Sequence, residues 1–195
     1  MFNTFQYLSE ISLIIRQNPH RADDIANSFS ATQFKSKQWL VDVLSKHNNK
    51  SNPKVLILGG WYGSLLVPML NNQLKPSKII LSDIDPDVVG VATQLHKTTQ
   101  NVECLVLNGN DPIIELDIDI IINTSCEHMH AFGEISTASK CLYALQTCDN
   151  ANDPGHINTS TSTEEFKQKT KLKKILFAGR QNLGHKNRFM LLGYK

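Results

Sequence analysis

Cysteine, tryptophan and long apolar runs are all scarce in this chain of 195 residues. The four cysteines, Cys104, Cys126, Cys141 and Cys148, include no CxxC pair, and three of them fall in or beside predicted strands. That placement is typical of reduced thiols rather than a disulfide framework, so we expect a reducing, cytoplasmic location. No uncharged run reaches membrane-spanning length, and the N-terminus lacks a small-residue cleavage site. Both absences predict a soluble, unexported protein without a membrane partner.

An excess of one charge is also missing, because 20 Lys and Arg against 18 Asp and Glu leave a formal net charge of +2. A chain so balanced has no overall electrostatic footprint for nucleic acid. A local basic bias does run from Lys167 to Arg188, but Glu164 and Glu165 dilute it. Such a run is typical of a solvated face, so the sequence favours a small molecule over RNA as partner.

The spacing of apolar residues changes near residue 50. Residues 1–50 carry apolar side chains at helical spacing, interrupted at Pro19, and predict an N-terminal helical cap. Residues 51–195 alternate short apolar runs with helical stretches, which predicts one α/β domain with a mainly parallel, seven-stranded sheet. The last two runs, Lys174–Ala178 and Arg188–Tyr194, predict a C-terminal antiparallel hairpin.

Three stretches of the second half bear on a possible site. Met129–Lys140 predicts a helix, and Ser162–Lys169 predicts a short helix capped by Ser162 or Thr163. The polar stretch Asp149–Thr163 predicts a loop that is long enough to serve as a rim or lid over a ligand.

A glycine-rich turn, Gly59-Gly60-Trp61-Tyr62-Gly63, follows the first predicted strand, and Asp83 ends the second. Glycine lets the backbone turn sharply and approach a ligand, while a carboxylate at a strand end can accept hydrogen bonds from both hydroxyls of a ribose. The layout predicts a Rossmann-like sheet that binds a nucleoside-bearing cofactor. Asp83 could instead only cap the following turn, although Asp85, before Pro86, is the better-placed helix cap.

Four motifs in this order resemble those of the class I S-adenosylmethionine-dependent methyltransferases, from about Lys54 to the C-terminus. They are Val55–Gly63, Ile80–Pro86, Val106–Asp111 and Asp119–Met129. The resemblance implies S-adenosyl-L-methionine as cofactor and transfer of its methyl group to an acceptor that the sequence does not identify. It also implies cofactor contacts from Gly59, Gly60, Trp61, Gly63, Asp83, Ile84, Asn110, Asp111 and Asn123.

The first motif departs from the family pattern at two positions. Ile57 stands where the family usually has an acid, and Trp61 where it has a glycine. The contact to the amino-acid end of the cofactor is therefore left open. Trp61 either borders the ligand or packs the helical cap onto the turn. In this family, helices such as the one that includes Gln33, Lys37 and Trp39 often fold over the cofactor.

Polar residues also gather at the end of the fourth parallel strand, where open parallel sheets bind their ligands. His128 is a candidate general base with Glu127 beside it, unless it only begins a helix and bonds to the backbone. Ser125, together with His156 and Asn158 of the long loop, is a candidate for contact with the acceptor substrate.

Other site chemistries fit the sequence less well. The spacing of Cys126, Glu127, His128 and His130 matches no common metal pattern, so we expect no metal site. A dinucleotide-dependent oxidoreductase would need GxGxxG, which the glycine turn does not satisfy. A catalytically inactive S-adenosylmethionine-binding or interaction protein, and a different reaction on the same cofactor, both stay open as alternatives.

Overall fold

The computed structural model describes residues 4–111, 117–130 and 141–195. Within these ranges the helices are α1 (Thr4–Gln17), α2 (Ala22–Asn27), α3 (Ala31–His47), α4 (Leu66–Gln73), α5 (Pro86–Leu95) and α6 (Thr163–Thr170). The strands are β1 (Lys54–Leu58), β2 (Lys78–Asp83), β3 (Val102–Val106), β4 (Ile120–Asn123), β5 (Leu142–Cys148), β6 (Lys174–Asn182) and β7 (Asn187–Tyr194). Two short 3-10 turns lie at Pro19–Arg21 and Cys126–His128.

The seven strands form one sheet in the order β3-β2-β1-β4-β5-β7-β6. Strands β1 to β5 pair in parallel, whereas β7 runs antiparallel to both β5 and β6. The prediction of a Rossmann-like, mainly parallel seven-stranded sheet with a C-terminal antiparallel hairpin is confirmed. The strand order reverses direction between β1 and β4, and such a switch point is where open parallel sheets bind ligands.

Side chains of the central strands are buried on both faces of the sheet. Val55 and Ile57 of β1 belong to a core shared with α3 and α4, whereas Leu56 and Leu58 belong to a second core that includes Phe166 of α6. Because helices cover both faces, β1 is apolar almost throughout instead of alternating with polar residues.

The N-terminal helices pack over the turn that follows β1. Ile14 of α1 and Ile25 of α2 share a third apolar cluster with Leu95 of α5 and with Tyr62 of the glycine turn. Tyr62 is fully buried there. The helical cap is therefore in direct contact with the segment that the sequence assigns to ligand binding.

Two helix predictions need correction or fall outside the described residues. The sequence pattern of residues 63–74 predicts a helix that begins at Gly63. In the structure α4 begins at Leu66, because Gly63 has a φ of 62°, in the left-handed region that a right-handed helix excludes. In the stretch Met129–Lys140, Met129 and His130 are not helical, and residues 131–140 lie outside the described part of the chain.

Both predicted helix caps are present. The carboxylate of Asp85 accepts a hydrogen bond from the Asp87 backbone N–H at the start of α5. The hydroxyl of Ser162 does the same for the Glu165 N–H in α6. These local bonds satisfy N–H groups that have no partner within the helix.

All four cysteine thiols are free. Among the residues that the structure describes, no helix combines the length and apolarity needed to cross a membrane.

Candidate functional site

A cleft of about 530 Å³ opens at the switch point, above the carboxyl ends of β1, β2 and β4. Most of the predicted site residues line it, namely Gly59, Gly60, Trp61, Gly63, Asp83, Ile84, Asn110, Ser125, Glu127, His128 and His156. Asp111, Asn123 and Asn158 do not. The fold thus brings together residues from five separate segments of the chain at the place where parallel sheets bind their ligands.

The glycine turn has the left-handed backbone that its composition predicts. Gly59 and Gly63 have φ values of 55° and 62°. Trp61 has a φ of 54°, which is uncommon for a residue with a bulky side chain. The turn is held against β2, because the backbone N–H of Gly60 donates to the carbonyl of Ser82 at 2.8 Å.

Asp83 links the glycine turn to the end of β2. Its carboxylate accepts hydrogen bonds from the backbone N–H groups of Trp61, at 2.9 Å, and Asp85, at 3.2 Å. An ionised carboxylate offers about four acceptor positions. Asp83 lines the cleft and is only half-buried, so it retains capacity to accept bonds from a ligand.

The side chain of Trp61 is anchored to the helical cap. Its indole N–H donates to Asp24 of α2 at 3.0 Å, and the hydroxyl of Tyr62 donates to the same carboxylate oxygen at 2.6 Å. The two rings stack with centroids 5.4 Å apart. The packing role and the ligand role considered for Trp61 are therefore compatible, because the residue both contacts α2 and lines the cleft.

Asn123 at the end of β4 is fully buried and shapes the turn that follows. Its side-chain oxygen accepts from the Ser125 N–H at 2.9 Å, and its side-chain nitrogen lies 3.0 Å from the Met129 sulfur. Ser125 in turn donates its hydroxyl to the carbonyl of Gly59 at 2.9 Å. Asn123 thus positions a cleft residue without facing the cleft itself.

A buried ion pair forms one wall of the cleft. Arg188 of β7 donates to the Oε1 of Glu127 at 2.5 Å and also to the carbonyl of Thr124. Both charged side chains are less than a tenth exposed. Burial alone would raise the pKa of Glu127, but the charge of Arg188 outweighs it and the pKa lies below its ordinary value. Glu127 is therefore a carboxylate at neutral pH.

Lys37 of α3 reaches into the same wall. Its Nζ donates to the Thr124 hydroxyl at 2.8 Å. Burial, and after it the positive charge of Arg188, lowers the pKa of Lys37 to about 7. A substantial fraction of Lys37 is then an uncharged amine at neutral pH, which is able to accept a proton.

His128 and His156 meet at the rim of the cleft, with ring centroids 4.5 Å apart. The Nδ1 of His128 lies 3.1 Å from the carbonyl oxygen of Gly155, and the Nδ1 of His156 lies 2.5 Å from that of Asn150. His128 is exposed, whereas the side chain of His156 is buried. The backbone bond considered for His128 exists, but it engages only one of the two ring nitrogens.

Sequence reasoning missed Arg188 as a site residue and gave Lys37 no role of its own. Arg188 was visible only as part of a basic bias, although a single cation at the start of the apolar run of β7 is itself a signal. It lies opposite Cys148 on β5, at the level where the parallel strands end. Lys37 was noted only on a helix that the resemblance brings near the cofactor.

Two cations of the basic bias, Lys167 and Lys169, are paired with carboxylates within α6. Lys167 pairs with Glu164 at 2.6 Å, and Lys169 pairs with Glu165 at 2.7 Å. These i,i+3 and i,i+4 pairs are ordinary features of a solvated helix face. They leave little uncompensated charge on α6 for a nucleic-acid backbone to contact.

Comparison with known proteins gives a fold but no near relative. No protein-family model and no curated sequence matches the chain. Magnesium protoporphyrin IX methyltransferase from Synechocystis PCC 6803, solved with bound S-adenosylhomocysteine, has a TM-score of 0.63 at 14% identity over 84% of each chain. A SAM-dependent methyltransferase from Aquifex aeolicus has a TM-score of 0.57 at 17% identity, covering 94% of this chain and 97% of that one.

A third structure, TrmK of M. capricolum with S-adenosylhomocysteine, has a TM-score of 0.54 at 13% identity and covers 80% of this chain and 67% of that one. At such identities the likeness establishes architecture. Together with the strand order and the position of the cleft, it shows that this chain has the fold of the class I S-adenosylmethionine-dependent methyltransferases.

Proposed function

We propose that the protein is an S-adenosylmethionine-dependent methyltransferase. The observation that carries this proposal is the position of Asp83, which ends β2 beside the left-handed glycine turn and lines the cleft at the switch point. Structures of the same fold hold S-adenosylhomocysteine. The volume of about 530 Å³ lies within the range of small-molecule and cofactor sites.

The residues present suit the cofactor in their chemistry. The carboxylate of Asp83 would accept bonds from the ribose hydroxyls, and Gly59, Gly60 and Gly63 would allow close approach of the backbone. Asn110 lines the cleft beyond β3, where a polar side chain would contact the adenine. The acid that usually contacts the amino-acid end of the cofactor is missing, because Ile57 stands at its position. Ile57 is buried in the core.

Bound there, S-adenosylmethionine would supply a methyl group activated by its sulfonium sulfur. The chain's own task is to hold the acceptor in line with that group and to take its proton. Two groups of the chain are candidates to accept this proton. The carbonyl of Gly155 can only accept, so Nδ1 of His128 carries hydrogen and Nε2 has a free lone pair. The neutral amine of Lys37 is the second candidate.

We propose a small molecule rather than RNA as acceptor. Of the three Lys and Arg residues that line the cleft, Lys37 and Arg188 are tied to Thr124 and Glu127 inside it, so these two do not contribute to an open basic surface. Ser125 and His156 line the cleft and would contact the acceptor. The four free thiols suit the reducing cytoplasm as its compartment.

A cofactor-binding protein without catalysis is the second candidate, and the apolar Ile57 favours it. The test is formation of S-adenosylhomocysteine from S-adenosylmethionine over a panel of small hydroxyl, amine and thiol acceptors. We expect turnover with at least one acceptor, and a loss of about a hundredfold in kcat when the proton acceptor is removed. His128→Ala and Lys37→Met, assayed in parallel, identify that group. Tight cofactor binding with no turnover over the whole panel would favour the second candidate.

A further inference from the structure

Three ligand-type side chains converge at the rim of the cleft. Glu127 and His128 lie in the turn after β4, and His156 lies in the loop after β5. A carboxylate oxygen of Glu127 and one ring nitrogen from each histidine all lie within 4.8 Å of one another. The loop is fixed to the turn, because the backbone N–H groups of Ile157 and Asn158 both donate to the carbonyl of Glu127, at 2.9 and 3.0 Å.

One ring nitrogen of each histidine is already engaged by the backbone. Each Nδ1 contacts a backbone carbonyl, of Gly155 for His128 and of Asn150 for His156. A carbonyl oxygen can only accept, so in the neutral imidazole each Nδ1 carries the hydrogen and each Nε2 has the lone pair that a metal ion would use. Metal-binding histidines typically donate their second N–H to a carbonyl or carboxylate, which fixes both the tautomer and the ring orientation.

Glu127 supplies an independent observation. Arg188 occupies its Oε1, but Oε2 is buried and has no hydrogen-bond partner among the described residues. Burying a carboxylate oxygen without a hydrogen-bond partner destabilises the folded chain. A cation at the rim would supply the missing interaction.

We propose that Glu127, His128 and His156 bind one divalent first-row transition ion of the Zn²⁺ type through one oxygen and two imidazole nitrogens. Two imidazoles with a carboxylate suit zinc or iron(II), whereas Mg²⁺ and Ca²⁺ favour all-oxygen sets. The spacing of Glu127 and His128 did not indicate this site, because the third ligand comes from a loop beyond the next strand.

The charges around the site set its strength. Asp153 faces His156, with its Oδ2 3.9 Å from Nε2, and adds negative charge. Arg188 pairs with Glu127, and its positive charge weakens the binding of a metal ion there. Lys186 also lines the cleft. We therefore expect a dissociation constant nearer micromolar than picomolar.

Three protein ligands leave at least one coordination position open. All three line the cleft, so that position would take an oxygen of the acceptor and lower its pKa. This role, unlike the site itself, rests on the proposed methyl transfer. With the ion bound, Nε2 of His128 is a ligand, and Lys37 is the group that takes the proton.

The test is a titration of chelator-treated protein with Zn²⁺ alone, without cofactor or acceptor, so its outcome does not depend on the proposed function. We expect one ion per chain. His128→Ala and His156→Ala should each weaken binding at least tenfold, whereas His185→Ala, at an exposed histidine of the terminal hairpin, should leave it unchanged. Equal affinity in the wild type and in both ligand variants would overturn the site, as would the absence of saturable binding.

A second measurement uses only the wild-type chain and covers the case of a variant that does not fold. Diethyl pyrocarbonate modifies accessible imidazoles, and mass spectrometry locates the product. Zn²⁺ should protect His128 and leave His185 reactive. Equal modification of His128 with and without Zn²⁺ would contradict the proposal.

Discussion

Arg188 at the start of β7 donates to Glu127, in the turn after β4, across 2.5 Å and 61 positions of the chain. The same guanidinium holds the carbonyl of Thr124. One side chain from the C-terminal hairpin therefore fixes the turn that carries His128. This cross-link ties the antiparallel edge of the sheet to the candidate site.

The ion pair leads to a prediction about stability. Glu127→Ala leaves a buried cation unpaired and should lower the free energy of unfolding by about 3–5 kcal/mol. The double variant Glu127→Ala/Arg188→Ala, which removes both charges, should cost less than the sum of the single changes Glu127→Ala and Arg188→Ala. Urea unfolding of all four proteins measures this. Single changes that cost under about 1 kcal/mol would show that the pair is not buried in solution.

The lowered pKa of Lys37 leads to a prediction about how the stability of the fold depends on pH. Its pKa is about 7 in the folded chain against an ordinary 10.5, so between these values the unfolded chain binds more protons. Lys37 therefore opposes folding fully at pH 7 and below, and this penalty disappears as the pH rises toward 10.5. Lys37→Met should be more stable than the wild type at pH 7, with the difference shrinking toward pH 10.

Other groups titrate in the same pH range, so only the difference between the two proteins is informative. Lys35→Met, at an exposed position of the same helix, is the matched control and should show no such trend. A constant difference between wild type and Lys37→Met from pH 7 to 10 would mean that Lys37 keeps its ordinary pKa.

The position of Asp83 in the cleft leads to a prediction about cofactor affinity. Asp83→Ala removes the acceptor proposed for the ribose hydroxyls and should weaken S-adenosylhomocysteine binding by about 2 kcal/mol, or about thirtyfold. Because Asp83 also holds the Trp61 N–H, thermal unfolding must show that the variant is folded. Glu103→Ala, at an exposed carboxylate of β3, serves as control and should bind as the wild type does. Unchanged affinity in a folded Asp83→Ala variant would remove Asp83 from the site.

The two tryptophans allow a test of the glycine turn. Trp61 lines the cleft, whereas Trp39 packs edge-on against Phe177, with centroids 6.1 Å apart. In Trp39→Phe we expect cofactor addition to change the fluorescence, and in Trp61→Phe we expect it not to. If Trp39→Phe gives no signal while calorimetry shows binding, Trp61 serves only to hold Asp24 and the helical cap.

The sheet was predictable because its signals are local. Lys54–Leu58 and Lys78–Asp83 are short apolar runs, and the glycine turn between them has a composition that few other structures require. Asp85 and Ser162 were predictable as caps for the same reason.

The walls of the site were less predictable, because they depend on contacts between distant segments. The pairing of Arg188 with Glu127 requires the register of β7 on β5, which no local pattern specifies. Asn123 has the position of a ligand contact in sequence, yet its bonds to Ser125 and Met129 turn it inward. Likewise, His156 meets His128 only after the long loop has folded back over the turn.

We propose above all that the cleft above β1, β2 and β4 binds S-adenosylmethionine. Isothermal titration calorimetry of the full chain with S-adenosylmethionine, S-adenosylhomocysteine and NAD tests it most directly. We expect one site per chain, micromolar affinity for the first two ligands and no measurable heat with NAD. Folded protein that binds neither S-adenosylmethionine nor S-adenosylhomocysteine, or that binds NAD instead, would contradict it.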